Sequence, residues 1–280
     1  MNFDWKGHAS MLGANVMWGL MSPVSKVILV GGAITPLVIT DLRIGGAMIL
    51  FWITSFFQKP EHVNHKDLVS LFFASLLAIV FNQGCFIFGV SLTSPGDASI
   101  ITTSMPLWAM ILAAFILKEP ITGKKVLGIT LGAGGALLLI LGSGQNIQIT
   151  STNKDTAIWG DLLVLFAQLS YALYIVLYKD FVNKYSLTTI MKWMFTYAAI
   201  CFIPFSYHEV STIHFHEIST STWACVAYVI VGGTFLAYIL MMIGQKTLRP
   251  TVISMYNYVQ PIVGTSVSIL LGMGTFGIAK

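Results

Sequence analysis

The sequence predicts an all-α polytopic membrane protein, an inverted repeat of two five-helix halves with nine spans visible and a tenth missing. Three observations carry this. Charged residues make up 9% of the chain and hydrophobic ones 56%, where a soluble domain carries about a quarter charged residues. Apolar runs of roughly 20 residues recur, each long enough to cross a hydrocarbon core of about 30 Å at about 1.5 Å per residue. Finally, Pro95 and Pro106 return as Pro250 and Pro261, both 155 residues later (250−95 and 261−106). Continuous rather than alternating apolarity excludes a β-barrel.

The spans are expected near His8–Val30, Pro36–Phe57, Leu68–Leu92, Asp97–Leu117, Val126–Leu141, Ile158–Tyr178, Leu187–Tyr207, Thr222–Ile243 and Thr251–Leu271. The first run continues past signal-peptide length without a small-residue cleavage site, so it is taken as a span. Pro106 and Pro261 are expected near the middle of their spans, freeing carbonyls there. Gly128, Gly132, Gly134 and Gly135 offer a close-packing face on the fifth.

Lysine and arginine set the orientation. A cytoplasmic amino terminus puts Lys6, Lys59, Lys66, Lys118, Lys124, Lys125, Lys179, Lys184, Lys246 and Arg249 inside and Lys154 outside, as the positive-inside rule requires. An integral protein of the cytoplasmic (inner) membrane is expected. The net charge of +4 is scattered over helix ends, so nucleic acid is not an expected partner.

The repeat reaches beyond proline. Gly7, Asn15, Trp18, Lys26 and Thr35 match Gly160, Gln168, Tyr171, Lys179 and Thr188 at an offset of 153. The halves are therefore residues 1–142 and 158–280, joined by an outer loop over 143–157. Five spans per half invert the second half relative to the first, the design of many secondary transporters. The partner of the fifth span would begin near residue 279, so a tenth helix is expected to be absent. The uncovered fourth, fifth and ninth spans then predict homodimerisation or low stability.

Polar groups inside a bilayer need partners or water. Asn15, Asn82, Gln83, Gln168, Asn257 and Gln260 lie well inside their spans and are expected to line a central cavity that hydrogen-bonds a small polar substrate, or to tie helices together. Trp18, Tyr171, Tyr238 and Tyr256 supply aromatic surface for the substrate's apolar part. Lys26 and Lys179 occupy equivalent positions in the two halves and are candidates for attracting an anionic group at opposite gates, with snorkelling as the competing role. Asp41 and Arg43, two residues apart, face different sides of a helix. Asp41 is a candidate proton-coupling carboxylate, with Asp161 a weaker second, and Arg43 is expected to bond a neighbouring helix, with a gating or binding charge as its competing role.

Other chemistry finds no support. Cys85, Cys201 and Cys225 fall in apolar runs as buried thiols without metal spacing. His208, His214 and His216 are read as outer-loop residues, and no metal site is assigned to them. No phosphate loop, nucleotide fingerprint or nucleophile elbow occurs, so neither an enzyme nor a cofactor is expected.

The order of short motifs completes the reading. Trp18-Gly19 followed by Lys26, then Thr35-Pro36 and Arg43, resembles the opening two helices of EamA-type transporters of the drug/metabolite transporter superfamily. Ala98, Pro106, Glu119 and the Gly128/Gly135 pair resemble its fourth and fifth helices. The resemblance implies a ten-helix inverted repeat that exports amino acids or other small metabolites by alternating access, with a small-molecule substrate and the lipid bilayer as partners. The second half departs from the pattern, reading Leu271-Gly272-Met273-Gly274-Thr275 where a glutamate like Glu119 is usual. A lipid-linked carrier flippase and a non-transporting, truncated membrane protein are the alternatives.

Overall fold

The computed structural model describes residues 4–30, 34–92, 98, 101–142, 154–213 and 218–271. Their regular structure is helical. Label α1 is given to Trp5–Val30, α2 to Pro36–Phe56, α3 to residues 65–92, α4 to Met105–Ile116 and α5 to Gly123–Gly142. After these come α6 (Lys154–Leu177), α7 (Leu187–Ser211), α8 (residues 220–247) and α9 (residues 250–270). Six of these rods, α1–α3 and α6–α8, contain stretches long and apolar enough to cross a membrane. The other three expected spans correspond to α4, α5 and α9. Bulky apolar side chains such as Phe56, Phe115, Leu138, Phe205 and Leu270 point outward, a pattern suited to lipid rather than water.

Local sequence explains where the helices start. Thr35, Asn64, Ser186 and Ser219 cap α2, α3, α7 and α8, each accepting a backbone N–H of the first turn, the role for which short polar side chains are favoured. Pro36 and Pro250 sit at helix starts, where a missing N–H costs nothing. At the end of α4, Lys118 takes φ 53° and the Glu119 N–H reaches back to the Ala113 carbonyl. This is a helix-ending left-handed turn built without glycine.

Two rods share an unusual internal break. In α3, His65–Ser75 passes through a π-helical turn, Leu76–Phe81, into Asn82–Leu92. In α8, Thr220–Ile230 passes through the π-helical Val231–Leu236 into Ala237–Thr247. Both run 11, 6 and 11 residues, and each segment of α8 begins 155 residues after its counterpart. Side chains take up carbonyls in or just before these turns, with Ser170 Oγ donating to Leu77 O at 2.7 Å and Thr234 Oγ1 to Val229 O at 2.8 Å.

Pro106 and Pro261 follow breaks in their spans rather than bending them, unlike Pro23 and Pro204, which lie inside α1 and α7. Residues 103–104 form a turn and Pro106 falls in the first turn of the restarted helix. In α9, Pro250–Met255 leads through the 3-10 turn Tyr256–Tyr258 into Val259–Leu270, again with Pro261 in the first turn. The expectation of a mid-helix proline is corrected accordingly. A proline's missing N–H and its clash with the carbonyl four residues back are relieved by interrupting the helix before it.

Helix pairing is reciprocal. The α2 rod lies along α7, α1 along α8 and α3 along α6, while α1 also meets α9 and α6 meets α4. Two close approaches repeat at residue level. A Cβ on Gly89 would stand 2.8 Å from the Gly160 carbonyl oxygen, and one on Gly244 3.3 Å from the Gly7 carbonyl oxygen. The main core, including Phe51, Leu71, Tyr174, Met191, Phe195 and Met241, runs between these pairs.

Ends of the bundle are tied by polar contacts. At the end where α1 begins, Asp67 accepts from Lys184 Nζ at 2.9 Å and Tyr185 OH at 2.6 Å. Glu61 accepts from the backbone N–H of Ser186 at 3.0 Å, adding a carboxylate to the start of α7. Burial pushes the Glu61 carboxyl up, but hydrogen bonds from Thr189 and Ser186, with Lys246 nearby, outweigh it and hold the group below its ordinary value. Glu119 bonds Lys125 at 2.8 Å and accepts from Thr251 at 3.3 Å. At the opposite end Thr35 donates to Glu209. His208 lies in the last turn of α7 rather than in a loop, and His214 and His216 lie outside the described residues. The three cysteines are free and half-buried, not fully buried as the apolar runs suggested.

Candidate substrate site

A polar and aromatic cluster forms where α1, α2, α3, α8 and α9 meet. Asn15 is fully buried on α1. Its Nδ2 donates to Met11 O at 2.8 Å, and its Oδ1 accepts from Gln260 Nε2 of α9, also at 2.8 Å. The same Nε2 lies 3.4 Å from Asn257 Oδ1. Three residues on from Asn15, hence on the same helix face, Trp18 meets Tyr238 of α8 edge-to-face, centroids 5.7 Å apart and planes at 77°. Such pairs contribute about 0.5–1.5 kcal/mol beyond burial.

Tyr238 is the hub. Its ring also stands edge-on to Phe195 at 5.0 Å. Its hydroxyl accepts from Gln83 Nε2 of α3 at 3.4 Å, while Gln83 Oε1 is buried without a hydrogen-bond partner among the described residues. Tyr171 and Tyr174 of α6 lie within electrostatic reach of Tyr238 and stack on each other at 6.1 Å. Tyr174 OH donates to Gln245 Oε1 at 3.2 Å.

One helical turn before Tyr238 stands Thr234, in the π-helical turn of α8. Gly232 and Gly233 precede it, and glycine weakens an α-helical ladder. In that turn the Thr234 hydroxyl donates to the Val229 carbonyl, so its oxygen is left to accept from elsewhere. Arg43 Nε of α2 supplies that donor at 3.1 Å.

Several expected site residues lie apart from this cluster. Asn82 donates to Ala167 O at 3.0 Å, joining α3 to α6. Gln168 is buried on α6. Tyr256 bonds His8 Nδ1 at 2.7 Å, toward the end where α1 begins. Lys179 Nζ donates to Gln245 O at 2.9 Å and to Leu248 O, closing the last turn of α8. The Lys26 side chain lies outside the described residues. Asp41 faces the Ser206 hydroxyl of α7. Lys192 donates to Ser55 Oγ at 2.8 Å, and both members of that pair lie 151 residues from Asp41 and Ser206 (192−41 and 206−55).

Sequence reasoning missed Thr234, Phe195 and Lys192. The Gly232-Gly233-Thr234 triplet was the visible signal for the first. The caps Thr35 and Ser186 also stand 151 residues apart, so the second span pairs at a different offset from the 153 inferred from Thr188.

The helical rods, outward apolar surface and buried polar cluster define an integral membrane protein of the all-α polytopic class. A family profile, described as the EamA-like transporter family, matches residues 5–141 and 158–278. The chain belongs to that family, whose members are transporters and not enzymes. It is 25% identical over 216 residues to an uncharacterized transporter, YetK, of Bacillus subtilis (strain 168), covering 77% of this chain and 63% of that protein. Uncharacterized transporter YyaM of the same organism is 27% identical, covering 74% and 67%. Uncharacterized transporter sll0355 of Synechocystis sp. is 23% identical, covering 96% and 84%. A solved crystal structure shares the fold with a TM-score of 0.76 at 15% identity, covering 95% of this chain and 88% of the other.

Proposed function

We propose that this chain is a secondary transporter that exports small metabolites, amino acids among them, by alternating access. The observation that carries the reading is the cluster of buried Asn15, Gln83 and Tyr238 with half-buried Trp18, Asn257 and Gln260, contributed by helices from both ends of the sequence. Polar side chains deep in a transmembrane bundle mark substrate pathways by default. A site at the meeting of two halves can be opened to either side by rocking one against the other.

The halves are residues 1–142 and 158–280. Matched 11-6-11 rods and the reciprocal Gly89/Gly160 and Gly244/Gly7 contacts support an inverted repeat. The lysine distribution supports a cytoplasmic amino terminus in an inner membrane, and a homodimer is the expected assembly. In this reading Asn82 and Gln168 support the wall, Lys179 caps the end of α8, and Lys26 and Asp41 act at the margins.

Counterflow in proteoliposomes tests it. Vesicles loaded with unlabelled amino acids are expected to accumulate the labelled counterpart transiently. An amino-acid panel with no exchange above that of protein-free vesicles would overturn the export reading.

A further inference from the structure

Arg43 is the eighth residue of α2, about 10 Å along the helix from its start, and its Nε donates to Thr234. Among the described residues its two terminal amino groups make no hydrogen bond and no ion pair. Asp41 does not neutralise it. Two helical residues apart lie on opposite faces, and the Asp41 carboxylate turns to Ser206. A guanidinium inside a bilayer is costly, and tying α2 to α8 needs only one donor, which a neutral glutamine would supply. The terminal groups thus carry a charge that no described residue uses.

The geometry of the fork narrows what would use it. Thr234 takes the Nε corner, leaving the end-on edge with two coplanar N–H groups. That edge matches the two oxygens of a carboxylate. Arg43 also lies within electrostatic reach of Tyr238, whose ring forms the Trp18 edge-to-face pair. One cation, with an aromatic surface one turn away, suits a monoanion with an apolar group better than a phosphate dianion.

We propose that the end of the Arg43 guanidinium is the anion subsite of this protein. It binds the carboxylate of a small organic acid whose aromatic or branched apolar part lies against Trp18 and Tyr238. This inference deepens the transport reading and rests on it, but it is tested separately.

Arg43 and Arg249 are the only arginines in the sequence. In purified Arg249→Lys protein, phenylglyoxal therefore reports on Arg43 alone, followed by mass spectrometry of its peptide. Expected: 3-phenylpropanoate slows the modification and its neutral amide does not. In proteoliposomes, Arg43→Gln raises the half-saturating concentration for L-phenylalanine by about 10–100-fold, the loss of a charged hydrogen-bond pair, while Arg43→Lys recovers part of it. Equal protection by acid and amide, or protection by inorganic phosphate in place of the acid, overturns the subsite. So does phenylalanine exchange by the unsubstituted chain without any protection of Arg43, and in that case transport stands. Protection by the acid with no exchange of any compound keeps the subsite and overturns transport.

Discussion

Gln260 donates to Asn15 at 2.8 Å across 245 residues of sequence, so the ninth helix is fastened to the first by two uncharged amides at the centre of the site. Asn15 has both ends of its amide engaged, whereas Gln260 turns its amino group to two acceptors, Asn15 and, at 3.4 Å, Asn257. Asn15 is therefore the fixed member and Gln260 the one able to change partners.

Removing either amide leaves the other short of a partner. Asn15→Leu and Gln260→Leu are each expected to destabilise the detergent-solubilised protein by about 1–2 kcal/mol, with a coupling of about 0.6–2 kcal/mol in the double-mutant cycle. Unfolding followed by circular dichroism in graded denaturing detergent checks this. Strictly additive single effects would exclude the bond.

The glycine contacts give a sharper contrast. Gly89→Ala would drive a methyl group against backbone, and a loss of about 1–3 kcal/mol is expected. Gly45 has nothing within 4 Å of a built Cβ, so Gly45→Ala is expected to stabilise by up to about 1 kcal/mol through helix propensity. Thermal unfolding of the two variants side by side decides it.

Lys179 separates a gate from a cap. Its two carbonyl bonds at the end of α8 predict that Lys179→Met destabilises the fold by about 1–3 kcal/mol, with the half-saturating substrate concentration unchanged. A selective change in that concentration, with unfolding unmoved, would restore the gate.

Glu61 predicts an acid limb. Its carboxyl lies below its ordinary value in the folded protein, so the folded state holds the proton less tightly than the unfolded chain does. The resulting stabilisation is present above the unfolded pKa, near about 4.3, and is lost as pH falls through the folded pKa. Thermal midpoints measured from pH 6 to pH 3 should fall less steeply for Glu61→Gln than for the unsubstituted chain.

Much of the architecture was legible because bilayer thickness dictates length and apolarity, both one-dimensional properties. The starts at Pro36, Leu187 and Pro250 follow from neighbouring caps and prolines. The π-helical turn at Leu76–Phe81 was not legible, since that run carries neither glycine nor proline and the Leu77 carbonyl is taken up by Ser170, 93 residues away. Polar positions such as Asn15 and Gln260 announced themselves by being costly in lipid. Their pairing did not, and neither did the attachment of Arg43 to Thr234, because an amide or guanidinium accepts many partners and only packing chooses among them. Lys179 illustrates the reverse: its match to Lys26 at an offset of 153 was readable, yet its task as a cap depends on where a different helix ends.

The reciprocal pairing also governs how the molecule is made. Helix α1 finds its main neighbours in α8 and α9, and α2 finds its own in α7 and α8. A ribosome adding about 5–20 residues per second leaves Asn15 waiting about 12–50 s for Gln260. Through that interval α1 sits in the bilayer with a polar amide whose nearby acceptor is the carbonyl of its own preceding turn. Insertion and folding are thus separate events here, and the early helices depend on lipid or on the insertion machinery for company until the late ones arrive.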